Sequence, residues 1–228
     1  TLKKTKIKLL LISFPHNPTT LTVDQVFYDN LIELAEKYNF LIVNDFAYSD
    51  IYFGGNKPPS LLSSDKSLSH SIELYSLTKG FSMAGWRVGF AVGNKDAISS
   101  VTKLKSYIDY GTFQPIQIAS TVALNELEEY PFELSSVYKE RRELIVENLE
   151  DLNFSVQEST ATMFVWAKLP EKFRNDSLKF SLELLEKSNV AISPGVGFGK
   201  YGEGYIRIAL VENKQRIRQA MKNIKAAL

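Results

Sequence analysis

The sequence contains no cysteine. That absence excludes disulfides, thiolate metal sites and a cysteine nucleophile. Histidine is nearly absent as well. Only His16 and His70 occur, far apart, and no histidine-based metal site is expected. An excess of one charge is also missing. Lys and Arg number 27 against 26 Asp and Glu, a net charge of +1. So small a charge gives no electrostatic case for a nucleic-acid partner. No apolar run approaches the roughly 20 residues of a membrane span. No secretory signal pattern is read, so the expected compartment is the cytoplasm, away from membranes.

What is present is ordinary. The chain has 228 residues, 44% hydrophobic and 23% charged. That predicts one large or two small domains with a sizeable core and little disorder. Lys6 to Ser13 (KIKLLLIS) reads as a strand buried on both faces. A polar turn, Phe14 to Thr20, follows it. Thr22-x-x-Gln25 then resembles a capping box. Val23, Val26, Phe27, Leu31, Leu34, Ala35 and Tyr38 keep helical spacing. Leu41-Ile42-Val43 is a short strand ending at Asn44-Asp45. Strand, helix, strand at this spacing is a βαβ unit and implies a parallel sheet.

Further along, Ile72 to Leu77 and Val88 to Val92 read as strands. Asn94 to Ile108 reads as a helix capped by Asn94 or Asp96. Pro115 to Leu149 is mostly helical, with a break expected at Pro131. The pattern then changes. Thr162 to Lys168 alternates like a strand with one covered face, and Ser177 to Ser188 reads as a helix. Val190 to Ser193 and Tyr205 to Leu210 read as short strands. Asn213 to Leu228 is an amphipathic helix with Ile217, Ala220, Met221 and Ile224 on one face. The expected fold class is α/β: a mostly parallel sheet over residues 1–130, then a smaller α+β domain over residues 131–228.

In an open parallel sheet, ligands bind beyond the carboxyl ends of the strands. Asn17 follows the first strand, Asp45 and Tyr48 the second, and Ser76, Thr78 and Lys79 the third. Singly, each has a plain structural explanation. Asn17-Pro18 is a common turn pair, and Asp45 can cap a turn. The run Ser76 to Gly89 (SLTKGFSMAGWRVG) is harder to dismiss. It sets Lys79 and Arg87 between two apolar strands. Partial desolvation there lowers a lysine's pKa and suits Schiff-base chemistry with a carbonyl. Arg87 offers a planar fork to a phosphate or carboxylate, and Ser76 a hydroxyl to the same anion. A lysine, an anion site and an acidic residue together match the needs of pyridoxal phosphate. Ser76-x-x-Lys79 also matches the S-x-x-K of serine β-lactamases. Those enzymes need S-D-N and K-T-G elements, and neither occurs here.

Four blocks in order now resemble the class I/II aminotransferases, pyridoxal-phosphate enzymes of fold type I. They are Asn17-Pro18-Thr19, Asp45-x-x-Tyr48, the Ser76 to Gly89 lysine block, and Arg207 on a strand after a Gly-rich loop. Lys105 to Phe113, Ser193 to Gly199 and Arg207 to Asn213 resemble the bacterial alanine (glutamate–pyruvate) branch. Aspartate and LL-diaminopimelate aminotransferases are near relatives of it. The resemblance implies amino-acid and 2-oxo-acid substrates and a homodimer. It implies that Lys79 anchors the cofactor and shuttles a proton, and that Asp45 pairs with the pyridine nitrogen. Asn17 and Tyr48 would bond the phenolic oxygen, and Ser76 and Arg87 would hold the phosphate. Arg207, with Asn17, would bind the substrate carboxylate. Tyr110-Gly111-Thr112 resembles a stretch that approaches the partner subunit's site.

The Gly195, Gly197, Gly199 and Gly202 run is read as room for close backbone approach to a ligand. Trp86 and Met83 are read as packing, and His16 as a structural turn residue. The family's enzymes are roughly twice this long, and the chain opens Thr1-Leu2-Lys3-Lys4 without a methionine. The expectation is therefore the C-terminal part of such an enzyme. A pyridoxal-phosphate β-lyase and the aminotransferase-like sensor domain of a transcription regulator remain as alternatives.

Overall fold

The computed structural model describes residues 5–228, so the Thr1 to Lys4 opening lies outside the described residues. The chain forms two compact units. The first holds the described residues up to Pro15 and Thr22–Leu134, and the second holds His16–Leu21 and Ser135–Leu228.

The first unit is built on a four-stranded sheet. Its strands are β1 (Leu9–Ser13), β2 (Leu41–Asp45), β3 (Ser71–Ser76) and β4 (Gly89–Gly93), in that spatial order. β1, β2 and β3 are parallel, and β4 runs antiparallel to β3. Helix α1 (Gln25–Tyr38) makes the crossover between β1 and β2. Tyr28, Ile32 and Ala35 lie one helical turn apart and are buried with Ile42, Phe40 and Leu61. Leu10 and Ile12 of β1 pack onto the same cluster. Each fully buried aliphatic side chain contributes about 1.5–3 kcal/mol. α1 starts two residues beyond the expected cap. Asp24, not Thr22, is the N-cap, and its carboxylate accepts the Phe27 N–H at 2.8 Å. The helix ends at Asn39, in the left-handed region with φ 51°.

β1 departs from expectation. It is an edge strand, and Leu9 and Leu11 are 52% and 66% exposed. Their period-two partners Leu10 and Ile12 face α1. An unbroken apolar run cannot say which of its two faces finds a cover.

Two polar side chains sit inside this unit. Asn44 of β2 is fully buried, and Glu73 of β3 nearly so. Asn44 Nδ2 donates to Glu73 Oε1 at 3.0 Å and to the Tyr28 hydroxyl at 3.2 Å. Its Oδ1 accepts the Phe14 N–H at 3.3 Å. Glu73 also accepts from Leu61 N at 2.8 Å and from Ser60 Oγ at 2.5 Å. Burial, then the Glu73 charge, raises the Tyr28 pKa.

The remaining helices of this unit are α2 (Leu77–Gly80), α3 (Lys95–Ile108) and α4 (Gln114–Glu126). Asn94 caps α3, its Oδ1 accepting from Ala97 N at 2.9 Å. Helix α5 (Tyr130–Asp151) carries the chain across the division between units. The helical break falls at residues 127–129, before Pro131. Pro131 sits in the first turn of α5, where its missing N–H is not needed.

The second unit has an antiparallel sheet of β5 (Ser155–Val156), β6 (Phe164–Lys168), β7 (Ser193–Pro194) and β8 (Tyr205–Ala209), ordered β5-β6-β8-β7. Helices α6 (Ser177–Ser188) and α7 (Lys214–Ala227) complete it. Ile217, Met221 and Ile224 are the buried face of α7. The alternation at β6 reads as a strand with one covered face, but Phe164, Val165, Trp166 and Ala167 are all buried.

Asn44→Ala should lower the unfolding free energy by about 2 kcal/mol, since it leaves buried donors and acceptors unpaired. Asn44→Asp, which sets a second carboxyl against Glu73, should lower it further. A urea midpoint that falls at unchanged m-value checks both.

Candidate active site

The first-unit candidates gather where the parallel strands end. Asp45 closes β2 and Ser76 closes β3. The register pairs Asp45 with Leu74, two residues before Ser76. Asp45 and Ser76 therefore share one face of the sheet, the face opposite Asn44 and Glu73. Lys79 follows Ser76 on the single turn of α2. Ser76 Oγ accepts the Thr78 N–H at 3.2 Å and so starts that turn. α2 packs closely. A Cβ at Gly80 would stand 2.8 Å from Asp50 Oδ2. Asp50 in turn accepts the Tyr75 hydroxyl and pairs with Lys57 at 3.5 Å.

Lys79 is half-buried, with Nζ 5.8 Å from the centre of the buried Tyr48 ring. That distance is the outer range of a cation–π contact. Asp45 is exposed, and Oδ1 accepts Ala47 N at 3.1 Å. Arg87 is exposed and left-handed, with φ 53°. Its Nη1 donates to Ala84 O at 3.1 Å. A cavity of about 340 Å³ bordered by Phe46, Ser49, Asp50, Tyr75 and Phe90 includes none of the predicted site residues.

The two remaining candidates meet in the second unit. Asn17 lies in the His16–Leu21 segment that belongs to this unit. Its Oδ1 accepts from Arg207 Nη1 at 2.7 Å. Ser193 Oγ stands 3.5 Å from Arg207 Nη2. Arg207 sits on β8 opposite Trp166, in the same side-chain row as Phe164 and Tyr205. Its Cζ lies over the Phe164 ring at 4.2 Å and over the Phe198 ring at 4.5 Å. Neither phenylalanine was singled out from sequence. The legible signal was Phe164 two places before Trp166 in an alternating strand. Next to Asn17, His16 Nδ1 is 2.6 Å from Thr19 Oγ1, within the turn. Burial lowers its pKa, as fits a structural histidine.

The Gly-rich run works differently from the expectation. A Cβ on Gly195 would lie 2.0 Å from Gly202 O, and one on Gly202 would lie 2.0 Å from Gly195 O. These two glycines close the loop backbone on backbone. Gly197 and Gly199 would meet nothing within 4 Å. The close approach is internal to the loop that carries Phe198.

An amine, a carboxyl and a hydroxyl lie at the ends of the parallel strands, with the Arg87 guanidinium just before β4. The sequence matches the family described as aminotransferase class I and II over residues 1–224. The chain belongs to that family, whose members use pyridoxal phosphate. It is 42% identical over 222 residues to the glutamate-pyruvate aminotransferase AlaC of Escherichia coli K12, covering 97% of this chain and 54% of that protein. It is 44% identical over 219 residues to the LL-diaminopimelate aminotransferase of Natranaerobius thermophilus, covering 96% of this chain and 56% of that one. The fold superposes on the substrate-bound BacF structure from Bacillus subtilis with a TM-score of 0.91 at 34% identity. That match covers 96% of this chain and 56% of BacF. The chain thus spans about half the length of the curated relatives it matches.

The chemistry of the donor set suits pyridoxal phosphate: Lys79 would offer an amine, Asp45 an acceptor for a ring N–H, and Ser76 and Arg87 donors for a phosphate.

Gly202→Ala should lower stability by about 1–3 kcal/mol, because Gly195 backbone must move. Gly197→Ala should be neutral. Thermal unfolding of the two variants side by side checks the contrast.

Proposed function

We propose that the protein containing this chain transfers an amino group between an amino acid and a 2-oxo acid, with pyridoxal phosphate as cofactor. The supporting observation is the placement of Lys79 one short turn after Ser76, on the sheet face that also carries Asp45. When bound, the cofactor supplies an aldehyde and an electron-withdrawing ring. Residues 1–130 then serve as the C-terminal part of the cofactor domain, and residues 131–228 as the small domain.

Lys79 anchors the cofactor through its amine and afterwards moves a proton at the substrate α-carbon. Asp45 accepts the pyridine N–H and so keeps that nitrogen protonated. Tyr48 and Asn17 orient the cofactor's phenolic oxygen. Ser76 and Arg87 hold the phosphate as charge-assisted donors. Arg207 binds the substrate's α-carboxylate through its planar fork, with Asn17 on Nη1. Alanine or glutamate is the proposed donor, and AlaC is the relative that supports it. The similarity to an LL-diaminopimelate aminotransferase keeps that substrate as the second reading.

A cytoplasmic homodimer completes the proposal. Its support is the exposed run of Tyr107, Ile108, Tyr110 and Phe113 after and along α3. Among the described residues, no helix is long and apolar enough to cross a membrane.

Two experiments test this. Incubation with pyridoxal phosphate, borohydride reduction and peptide mapping should place a pyridoxyl group on Lys79. Lys79→Ala should abolish the label. Incubating the intact protein with alanine and 2-oxoglutarate should yield pyruvate and glutamate. Ammonia and pyruvate from cystathionine instead would replace transfer with lyase chemistry.

A further inference from the structure

Arg207 is held by more than hydrogen bonds. Its Cζ lies 4.2 Å from the Phe164 ring centre and 4.5 Å from that of Phe198. Both distances are well inside the range in which a ring quadrupole attracts a cation. The two rings come from separate parts of the chain. Phe164 is on β6, in the same side-chain row as Arg207, and is 7% exposed. Phe198 is on the loop closed by Gly195 and Gly202, and is 40% exposed. The Phe198 ring is itself placed. Trp166 meets it edge to face, with centroids 6.0 Å apart and planes at 80°. Trp166 in turn stacks on Tyr205 at 5.2 Å with planes at 6°.

We propose that Phe164 and Phe198 are positioning residues for carboxylate recognition. Their ring faces fix the plane of the Arg207 guanidinium, so that a substrate carboxylate meets a fork already in place. The proposal rests on the reading of Arg207 as the carboxylate binder. An arginine side chain carries large rotamer entropy, and ordering it in advance removes that loss from binding. A ring face orients a cation without bringing a negative charge of its own. Phe198 is the residue through which the loop acts on affinity, because its ring is the more exposed of the two.

The test uses the intact cofactor-loaded protein and pyruvate as probe, with binding read by calorimetry. Phe198 is chosen because a half-exposed loop residue can change without unfolding the core. Phe198→Leu, which keeps bulk and removes the ring, should weaken pyruvate binding roughly five-fold. Phe198→Tyr, which keeps the ring, should stay within about two-fold of the parent. KM for the amino donor should rise with Phe198→Leu while kcat changes little, the signature of lost uniform binding. A general folding defect would move both variants or lower kcat. Arg207→Ala separates the two claims. If Arg207→Ala abolishes pyruvate binding and Phe198→Leu leaves it unchanged, the positioning role is overturned and the carboxylate reading stands. If Arg207→Ala leaves pyruvate binding unchanged, the carboxylate reading falls and the positioning role falls with it.

Discussion

The pairing of Asn44 with Glu73 across adjacent parallel strands is the constraint on which the first unit depends. Both side chains are buried, and neither has water to turn to. Their hydrogen bonds reach α1 through Tyr28, the turn after β1 through the Phe14 N–H, and the loop before β3 through Ser60 and Leu61. Side chains alternate along a strand, so a slip of one residue between β2 and β3 would put the two groups on opposite faces, each unpaired. That penalty fixes the register of β2 against β3. The same register sets Asp45 and Ser76 together on the opposite face, with Lys79 one turn further on. A structural pair on one side of the sheet thereby sets the proposed cofactor-binding groups on the other.

Much of this was legible because it is local. The helix read over Ser177–Ser188 is α6 with the same bounds, and the amphipathic helix read over Asn213–Leu228 is α7, with Asn213 as its N-cap. The polar groups that follow the first three strands were found for the same reason. A strand end followed by Asp, Ser or Lys is visible in a few residues. Faces were less legible. The apolar run at β1 and the alternation at β6 were read the wrong way round. β1 leaves Leu9 and Leu11 open, while β6 is covered on both sides. Periodicity reports how side chains alternate, and sheet order decides what covers them. The Thr22-x-x-Gln25 spacing points to a cap two residues early, and the Phe27 N–H bond shows that Asp24 caps α1. Nor could spacing bring Phe164 and Phe198 to one guanidinium, since the contact joins a strand and a distant loop.

Aromatic faces touch Arg207, and several surface cations sit in exposed ion pairs. Lys105, Arg174 and Lys214 pair with Asp109, Glu171 and Glu140. Such exposed pairs contribute little to stability, and each spends its cation on a carboxylate of its own chain. Arg207 is touched by an amide oxygen, a hydroxyl and two aromatic rings. Ring faces restrict the plane of a guanidinium and bring no formal charge of their own. The loop glycines serve the same end at one remove. Gly195 and Gly202 let two backbone segments touch, and that contact places Phe198, the ring nearest solvent, over the guanidinium. Residues with no side chain thus help to set how firmly the arginine's one charge is aimed.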